Sequence, residues 1–213
     1  MPTKPERANQ PAAKGTAPTP VRRLRRAERR EQLLAAATQA FARTGFAATS
    51  LDDIAAAAGI SRVLLYRHFE SKTDLYRAVL DRAIGRLTAA VGTHDYTYAS
   101  IDALLGAAAE DPDGFRLLFH HAAREPEFRQ QMDRFRKGMI TTARRELARI
   151  IPDRGWAQWA AQLAPVVAIE AVMAWLDAGQ PDPDQAADRI RQALAGVISA
   201  AQHPATNPTP STR

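Results

Sequence analysis

The stretch that decides the fold reads Ser50-Leu-Asp-Asp-Ile-Ala-Ala-Ala-Ala-Gly59-Ile-Ser-Arg-Val-Leu-Leu-Tyr66-Arg-His-Phe69-Glu-Ser-Lys72. Ser50 offers a hydroxyl that caps a helix, and Asp53, three residues later, completes a shortened capping box. Gly59 supplies a sharp turn, because glycine adopts left-handed backbone conformations at little cost. Ser61 caps a further helix, which runs to about His68. The stretch therefore predicts two short helices joined by a glycine turn.

Amphipathic helices flank this stretch on both sides. Apolar residues recur on one helical face between residues 27 and 43, and Gly45 ends that helix. After the stretch, Ser71 and Asp74 open a helix over residues 72–91. A helix, a tight turn and a second short helix are the parts of a helix-turn-helix, so this unit is predicted here.

The order and spacing of nine short motifs make the region similar to a known domain. The motifs are Phe41, Gly45-Phe46, Thr49-Ser50, Ile54-Ala55, Gly59-Ile60-Ser61, Leu65-Tyr66, His68-Phe69, Ser71-Lys72 and Leu75. In these the chain resembles the DNA-binding domain of the tetracycline-repressor (TetR) family of bacterial transcription regulators. The resemblance implies a sequence-specific regulator, most often a repressor that a small hydrophobic ligand releases from its operator.

The resemblance also implies which residues contact DNA. The helix from residue 62 to residue 68 would lie in the major groove, with four side chains at base edges: Arg62, Val63, Leu64 and Arg67. Arginine can bond the O6 and N7 of guanine in a bidentate manner, whereas valine and leucine reach only thymine methyls or sugars. Many relatives carry a small residue and a threonine at positions 63 and 64, so base reading departs from the family pattern there.

Phosphate contacts are implied for five further side chains: Ser50, Ser61, Tyr66, His68 and Lys72. Each has an alternative interpretation. The two serines would cap helices in a protein of any function. Tyr66 and His68 could be packing residues. Lys72 opposes the dipole of the helix that it begins, which favours a functional reason for its charge.

Composition restricts the class of protein. The 213 residues suffice for one DNA-binding head and a larger helical body, no run alternates with strand periodicity, and an all-α fold follows. The absence of cysteine excludes disulfides and thiolate metal sites. No nucleophile–base constellation or glycine-rich phosphate loop is visible, so neither an enzyme nor a cofactor is expected. His120 and His121 diverge on a helix, and His121 with Glu125 is only a weak metal pair.

The basic charge is concentrated at the amino-terminal end. Nine of the first 30 residues are Lys or Arg against two Glu, a net +7, so the remaining 183 residues carry about −1 of the total +6. Residues 1–21 are expected to be a disordered basic tail. Four arginines then form an arm that would follow phosphates or enter the minor groove: Arg22, Arg23, Arg25 and Arg26. The alternative is a solvated tail.

Residues 22–71 are thus assigned to the DNA-binding domain, residues 72–203 to a regulatory and dimerisation domain, and residues 204–213 to a disordered tail. The body should contain a helix over residues 100–109, a helix capped by Asp113 and a long helix after Pro126. A broadly apolar helix over residues 156–178 should be kinked at Pro165 or lose a backbone hydrogen bond there. Asp184 should start the last helix.

The last two helices are expected to form a homodimer interface, because the family uses them so; the alternative is that they only close the monomer core. Two-fold symmetry predicts a pseudo-palindromic operator. No apolar stretch is expected to span a bilayer. The basic start lacks an apolar segment typical of a signal peptide, so a cytoplasmic location is expected.

A ligand pocket is expected among aromatic and methionine side chains of the middle helices, with His120 or Arg124 meeting a polar group of a hydrophobic molecule. The candidates are Phe115, Phe119, His120, Arg124, Met132, Phe135, Met139, Met173 and Trp175. The alternative is that most of them fill the core. A regulator without a ligand, an activator, a sequence-neutral nucleoid protein and a helical ligand carrier stay open as other functions.

Overall fold

The computed structural model describes residues 26–93, 95–97 and 99–202. This part of the chain contains nine α-helices and no strand, which confirms the all-α class. The helices are α1 (Arg26–Ala48), α2 (Leu51–Ala57), α3 (Arg62–Tyr66), α4 (Lys72–Val91), α5 (Ser100–Glu110), α6 (Pro112–Arg116), α7 (Arg129–Leu147), α8 (Arg154–Asp177) and α9 (Pro183–Gln202). The predicted tails, 1–21 and 204–213, lie outside the described residues.

Helices α1 to α3 form the head, and local capping chemistry sets their limits. Gly45 has φ 76° and ψ 174°, so α1 is interrupted there as predicted, although a further turn follows to Ala48. Ser50 Oγ accepts a hydrogen bond from the Asp53 amide, and the Asp53 carboxylate accepts one from the Ser50 amide, so the capping box is complete. Helix α3 ends at Tyr66, two residues earlier than predicted.

Helix α4 joins the head to the body. Its bounds, Lys72–Val91, agree with the prediction, and Ser71 caps it through the amide of Asp74. Along its length α4 contacts α1 on one side and α5 on the other. One apolar core consequently runs from Leu33 and Phe41 in the head to Trp175 in the body.

The start of α6 corrects the predicted cap. Asp111, not Asp113, accepts the hydrogen bond from the amide of Gly114 at 3.0 Å, because Pro112 occupies the first helical position. Helix α6 then continues as a π-helical turn over Leu117–His121 and a 3₁₀ turn over Ala122–Arg124. Nothing in the sequence pattern indicated this wider turn.

Helices α7, α8 and α9 pack against one another in the body. Pro165 lies inside α8, which is continuous through it. The expectation about membrane spans needs correction, because α8 is long and apolar enough to cross a bilayer by length and composition. A buried core helix passes the same test, and α8 packs against α7 and α9.

Four charged side chains connect the head with the body. Arg82 of α4 is mostly buried and bonds both Glu31 of α1 at 2.7 Å and Asp111 at 3.1 Å. Arg86, one turn further along α4, reaches the same two carboxylates at 2.7 and 3.5 Å. Because Asp111 also caps α6, this charged junction fixes three helices relative to one another.

Candidate nucleic-acid interface and ligand cavity

Helix α3 presents a row of uncovered side chains on the side away from its packed residues. Val63 is 67% exposed and Tyr66 44% exposed, and Arg62 and Arg67 are exposed beside them. Leu65 is fully buried and fixes the helix on the head. Three of the four predicted base-edge residues thus face outward together, whereas Leu64 is half-buried and lies at the margin.

The two serines on this side of the head both act as caps. Ser50 bonds Asp53, and Ser61 Oγ accepts from the amide of Leu64 at 3.3 Å. Both serines are exposed.

His68 is half-buried beside the amino-terminal end of α1. Burial lowers the pKa of His68, and the positive charges of Arg26, Arg30 and Arg29 lower it further. Arg30 lies over the ring of Phe69 at 5.2 Å. The first turn of α1 thus brings basic side chains next to the end of α3. Arg26 begins the described chain, and the other arm residues, Arg22, Arg23 and Arg25, lie outside it.

Lys72 has a role that the resemblance did not imply. Its ammonium donates to three backbone carbonyls at the end of α1, those of Phe46 at 2.8 Å, Ala47 at 3.2 Å and Thr49 at 3.1 Å. It also lies 4.6 Å from the centre of the Phe46 ring. These bonds use all three ammonium protons. In this structure Lys72 is therefore a clamp between α4 and α1, and not a free cation at the surface.

The body contains a cavity of about 570 Å³ between α4, α5, α7, α8 and α9. Its walls are mainly apolar, and they include Leu87, Val91, Ile101, Ala168, Ile169, Leu194 and Ile198. The volume lies within the range typical of small-molecule sites. Sequence reasoning missed these residues, because apolar positions on five helices give no local signal of a shared cavity.

Three of the nine predicted ligand residues line this cavity: Phe119, Phe135 and Met139. The other six lie elsewhere. Phe115, Met132, Met173 and Trp175 are buried in the core, and the Trp175 indole donates to the Pro181 carbonyl at 2.6 Å. His120, in the π-helical turn, and Arg124, in the 3₁₀ turn that follows, are exposed.

The charged groups at the cavity wall already have partners. Glu146 accepts from Arg149 at 2.6 Å, and Arg191 bonds both Asp102 and Asp188. Tyr96 also lines the cavity, and burial raises the pKa of its phenol. The walls thus offer mainly apolar surface with a few hydroxyls, those of Thr88, Tyr96, Thr97 and Ser100, and charged groups that are already paired.

The outer surface of α8 carries large apolar side chains. Trp156 is 52% exposed, and Trp159 and Val166 are each 40% exposed. The indole rings of Trp156 and Trp159 meet edge to face at 5.7 Å. These residues lie three and seven positions apart and so share one helical face. Within the described ranges, no group of three or more His, Asp or Glu side chains could hold a metal ion.

Together, the glycine turn, the exposed face of α3 and the helical body define a helix-turn-helix regulator of transcription that binds DNA. Residues 33–79 match the model of bacterial regulatory proteins of the tetR family. The chain is 32% identical over 191 residues to the transcriptional activator FasR of Mycolicibacterium smegmatis, covering 83% of this chain and 86% of that protein. The chain therefore belongs to the tetR family.

Two further comparisons support this assignment. The transcriptional repressor BepR of Brucella suis is 42% identical over 57 residues, which is 27% of either chain. A TetR-like regulator of Rhodococcus sp. RHA1, known from its crystal structure, has a TM-score of 0.70 at 24% identity over 83% of this chain and 99% of that one. The structural match shows a common fold.

Proposed function

We propose that this regulator is a homodimeric repressor that leaves its operator when a small hydrophobic molecule enters the body. The observation that carries the proposal is the apolar cavity of about 570 Å³, of which α4 forms one wall. The same helix holds α1 through Lys72 and the charged junction. A ligand that displaces α4 would change the position of α3.

DNA contacts are assigned to the exposed face of α3 and to its surroundings. Arg62, Val63 and Arg67 would face base edges, with Leu64 at the margin. Ser50, Ser61, Tyr66 and His68 would lie near phosphates. Support comes from the exposure of all of these residues except the half-buried Leu64 and His68, and from the basic first turn of α1 beside His68. Lys72 would act by holding the head together.

The direct experiment is selection of bound fragments from genomic DNA, followed by affinity measurements at several salt concentrations. Arg67→Ala should weaken operator binding and lower sequence preference, whereas Arg144→Ala on the body should have little effect. Deletion of residues 1–23 should reduce both affinity and salt dependence if the arm follows phosphates. Equal binding of operator and random DNA would contradict a sequence-specific regulator.

The exposed apolar face of α8 supports the dimer proposal, because a second copy would cover it. The double substitution Trp159→Arg and Val166→Glu should give monomers in sedimentation experiments and weaken binding to a two-half-site operator. Lys137→Glu, an exposed change on α7, should leave the dimer intact. A wild-type protein that sediments as a monomer would contradict this interface.

The cavity is tested with a fluorescent apolar probe such as N-phenyl-1-naphthylamine. Ala168 lines the cavity, so Ala168→Phe should fill part of it and reduce probe binding. Ala109→Phe, on the exposed side of α5, serves as the control. If the probe binds both variants equally, the cavity is not the site. Compounds that compete with the probe can then be tested for release of operator DNA.

The second candidate function is activation of transcription, because FasR, to which the chain is similar over most of its length, is named a transcriptional activator. A promoter–reporter fusion distinguishes the two. Deletion of the gene should raise reporter expression if the protein represses and lower it if the protein activates. We also assign the protein to the cytoplasm, where its DNA partner is found.

A further inference from the structure

An ion pair spans the two helices of the helix-turn-helix. Asp52 lies in the first turn of α2, and Arg62 is the first residue of α3. Their side chains meet at 3.0 Å between Arg62 Nη1 and Asp52 Oδ2. Both side chains are more than half exposed, so the pair contributes little to folding stability. Its position on the uncovered side of the head calls for another explanation.

Tyr66 holds the same guanidinium from a second side. It lies one helical turn after Arg62, whose Cζ is 5.6 Å from the centre of the tyrosine ring. The hydroxyl lies 3.5 Å from Arg62 Nη2. A guanidinium has five N–H donors, and these two contacts leave most of them free. The two contacts thus orient Arg62 and leave N–H donors of its guanidinium available for another partner.

We propose that Asp52 and Tyr66 are positioning residues that hold Arg62 in the orientation in which it reads a guanine. This inference rests on the proposed role of α3 in the major groove. A free arginine loses considerable rotamer entropy on binding, and a guanidinium that is already fixed loses less. A fixed planar fork also matches the two acceptors, O6 and N7, of a single base.

The carboxylate of Asp52 is the reason to assign a base and not a phosphate to Arg62. A phosphate contact would be weakened by a negative charge 3.0 Å from the arginine. The guanine edge is neutral and tolerates the carboxylate. When another base stands opposite Arg62, the carboxylate still faces the negatively charged DNA without a compensating base contact. Asp52 should therefore lower affinity for wrong sequences and sharpen discrimination.

The test uses the full chain and the selected operator, with each base pair of one half-site substituted in turn. Arg62→Ala should remove the preference for guanine at one position, a preference of at least about fivefold for a bidentate contact. Asp52→Asn should reduce that preference at the same position while raising affinity for random DNA. The salt dependence of DNA binding by the Asp52→Asn variant should increase by about one phosphate contact. Asp52→Glu should restore part of the preference.

Glu70→Gln is the matched control, since it removes an exposed negative charge just beyond α3. It should raise affinity for all sequences and leave the guanine preference unchanged. Tyr66→Ala should weaken the preference at the base pair that Arg62 reads and at no other. All the substituted side chains are exposed, so the variants should fold like the wild-type protein. Thermal melting of each variant checks this.

Three results distinguish a failure of this inference from a failure of the proposed function. If Arg62→Ala removes a guanine preference that Asp52→Asn and Tyr66→Ala retain, the positioning role is wrong and the proposed function stands. If Arg62→Ala weakens all sequences equally, Arg62 contacts a phosphate and the inference is overturned. If no sequence is preferred by the wild-type protein, the proposed function itself fails.

Discussion

Removal of the buried hydroxyl of Tyr76 is expected to stabilise the folded protein, whereas most substitutions in a core destabilise it. The Tyr76 side chain is fully buried in α4, among the rings of Phe41, Phe46 and Phe128 at 4.8, 5.0 and 4.3 Å. Its hydroxyl is the one buried side-chain polar atom without a hydrogen-bond partner within the described residues. Burial, and to a lesser degree the charge of Glu125, raises the pKa of this phenol far above its ordinary value. The aromatic ring is thus well packed while its hydroxyl is unpaired.

Tyr76→Phe keeps the ring and removes the hydroxyl. Burying an unpaired hydroxyl costs about 1–3 kcal/mol, which the variant avoids. The lost oxygen makes a few van der Waals contacts of about 0.1–0.2 kcal/mol each, so they offset only part of this gain. We expect the free energy of unfolding to rise by about 1 kcal/mol and the melting temperature by about 2–4 °C.

Urea denaturation followed by circular dichroism measures the effect, at one protein concentration because dimer stability depends on it. Tyr66→Phe, at an exposed position, should change stability by less than about 0.5 kcal/mol. The gain from Tyr76→Phe should grow above pH 10, where tyrosines of the unfolded chain ionise and Tyr76 in the folded protein does not. A loss of 1 kcal/mol or more would show that the hydroxyl has a partner, such as a bound water, and refute the reasoning.

Three further perturbations test other contacts. Gly45→Ala should cost about 1–3 kcal/mol in urea denaturation, because φ 76° with ψ 174° is a conformation for glycine only; an unchanged midpoint would contradict this. Lys72→Met should lower stability by about 2 kcal/mol through lost charge-assisted hydrogen bonds to α1. Weaker operator binding with unchanged stability would instead make Lys72 a phosphate contact. For His68, whose pKa is lowered in the free protein, a phosphate contact would raise the pKa on binding. Operator affinity should then increase as the pH falls from 7.5 to 6, and His68→Gln should remove this dependence in fluorescence anisotropy titrations.

The helix boundaries of the head could be predicted, because they depend on residues that are close to one another in the sequence. Each of Ser50, Ser61 and Ser71 bonds an amide three positions later, so the caps could be recognised from the sequence. The role of Lys72 could not, since its carbonyl partners lie 23–26 residues away. The pair of Asp52 and Arg62 was missed for the same reason, because it joins two helices across the turn.

The ligand site was harder to predict for a different physical reason. A helical apolar pattern shows which face is buried, but not whether that face meets another helix or an empty volume. Met132 and Met139 lie on the same side of α7, yet the first is in the core and the second lines the cavity. His120 lies in a π-helical turn and is exposed, and no residue in that segment signals the change of helix type.

Helix α4 has 20 residues and is therefore about 30 Å long. Its first residue, Lys72, clamps α1, while Leu87 and Val91 near its end line the cavity. If a ligand acting through this helix changes operator affinity by some factor, thermodynamic reciprocity requires operator DNA to change ligand affinity by the same factor. Operator DNA is thus a reagent for sorting compounds: a true effector binds the full chain differently when the operator is added, whereas an incidental occupant of the cavity does not.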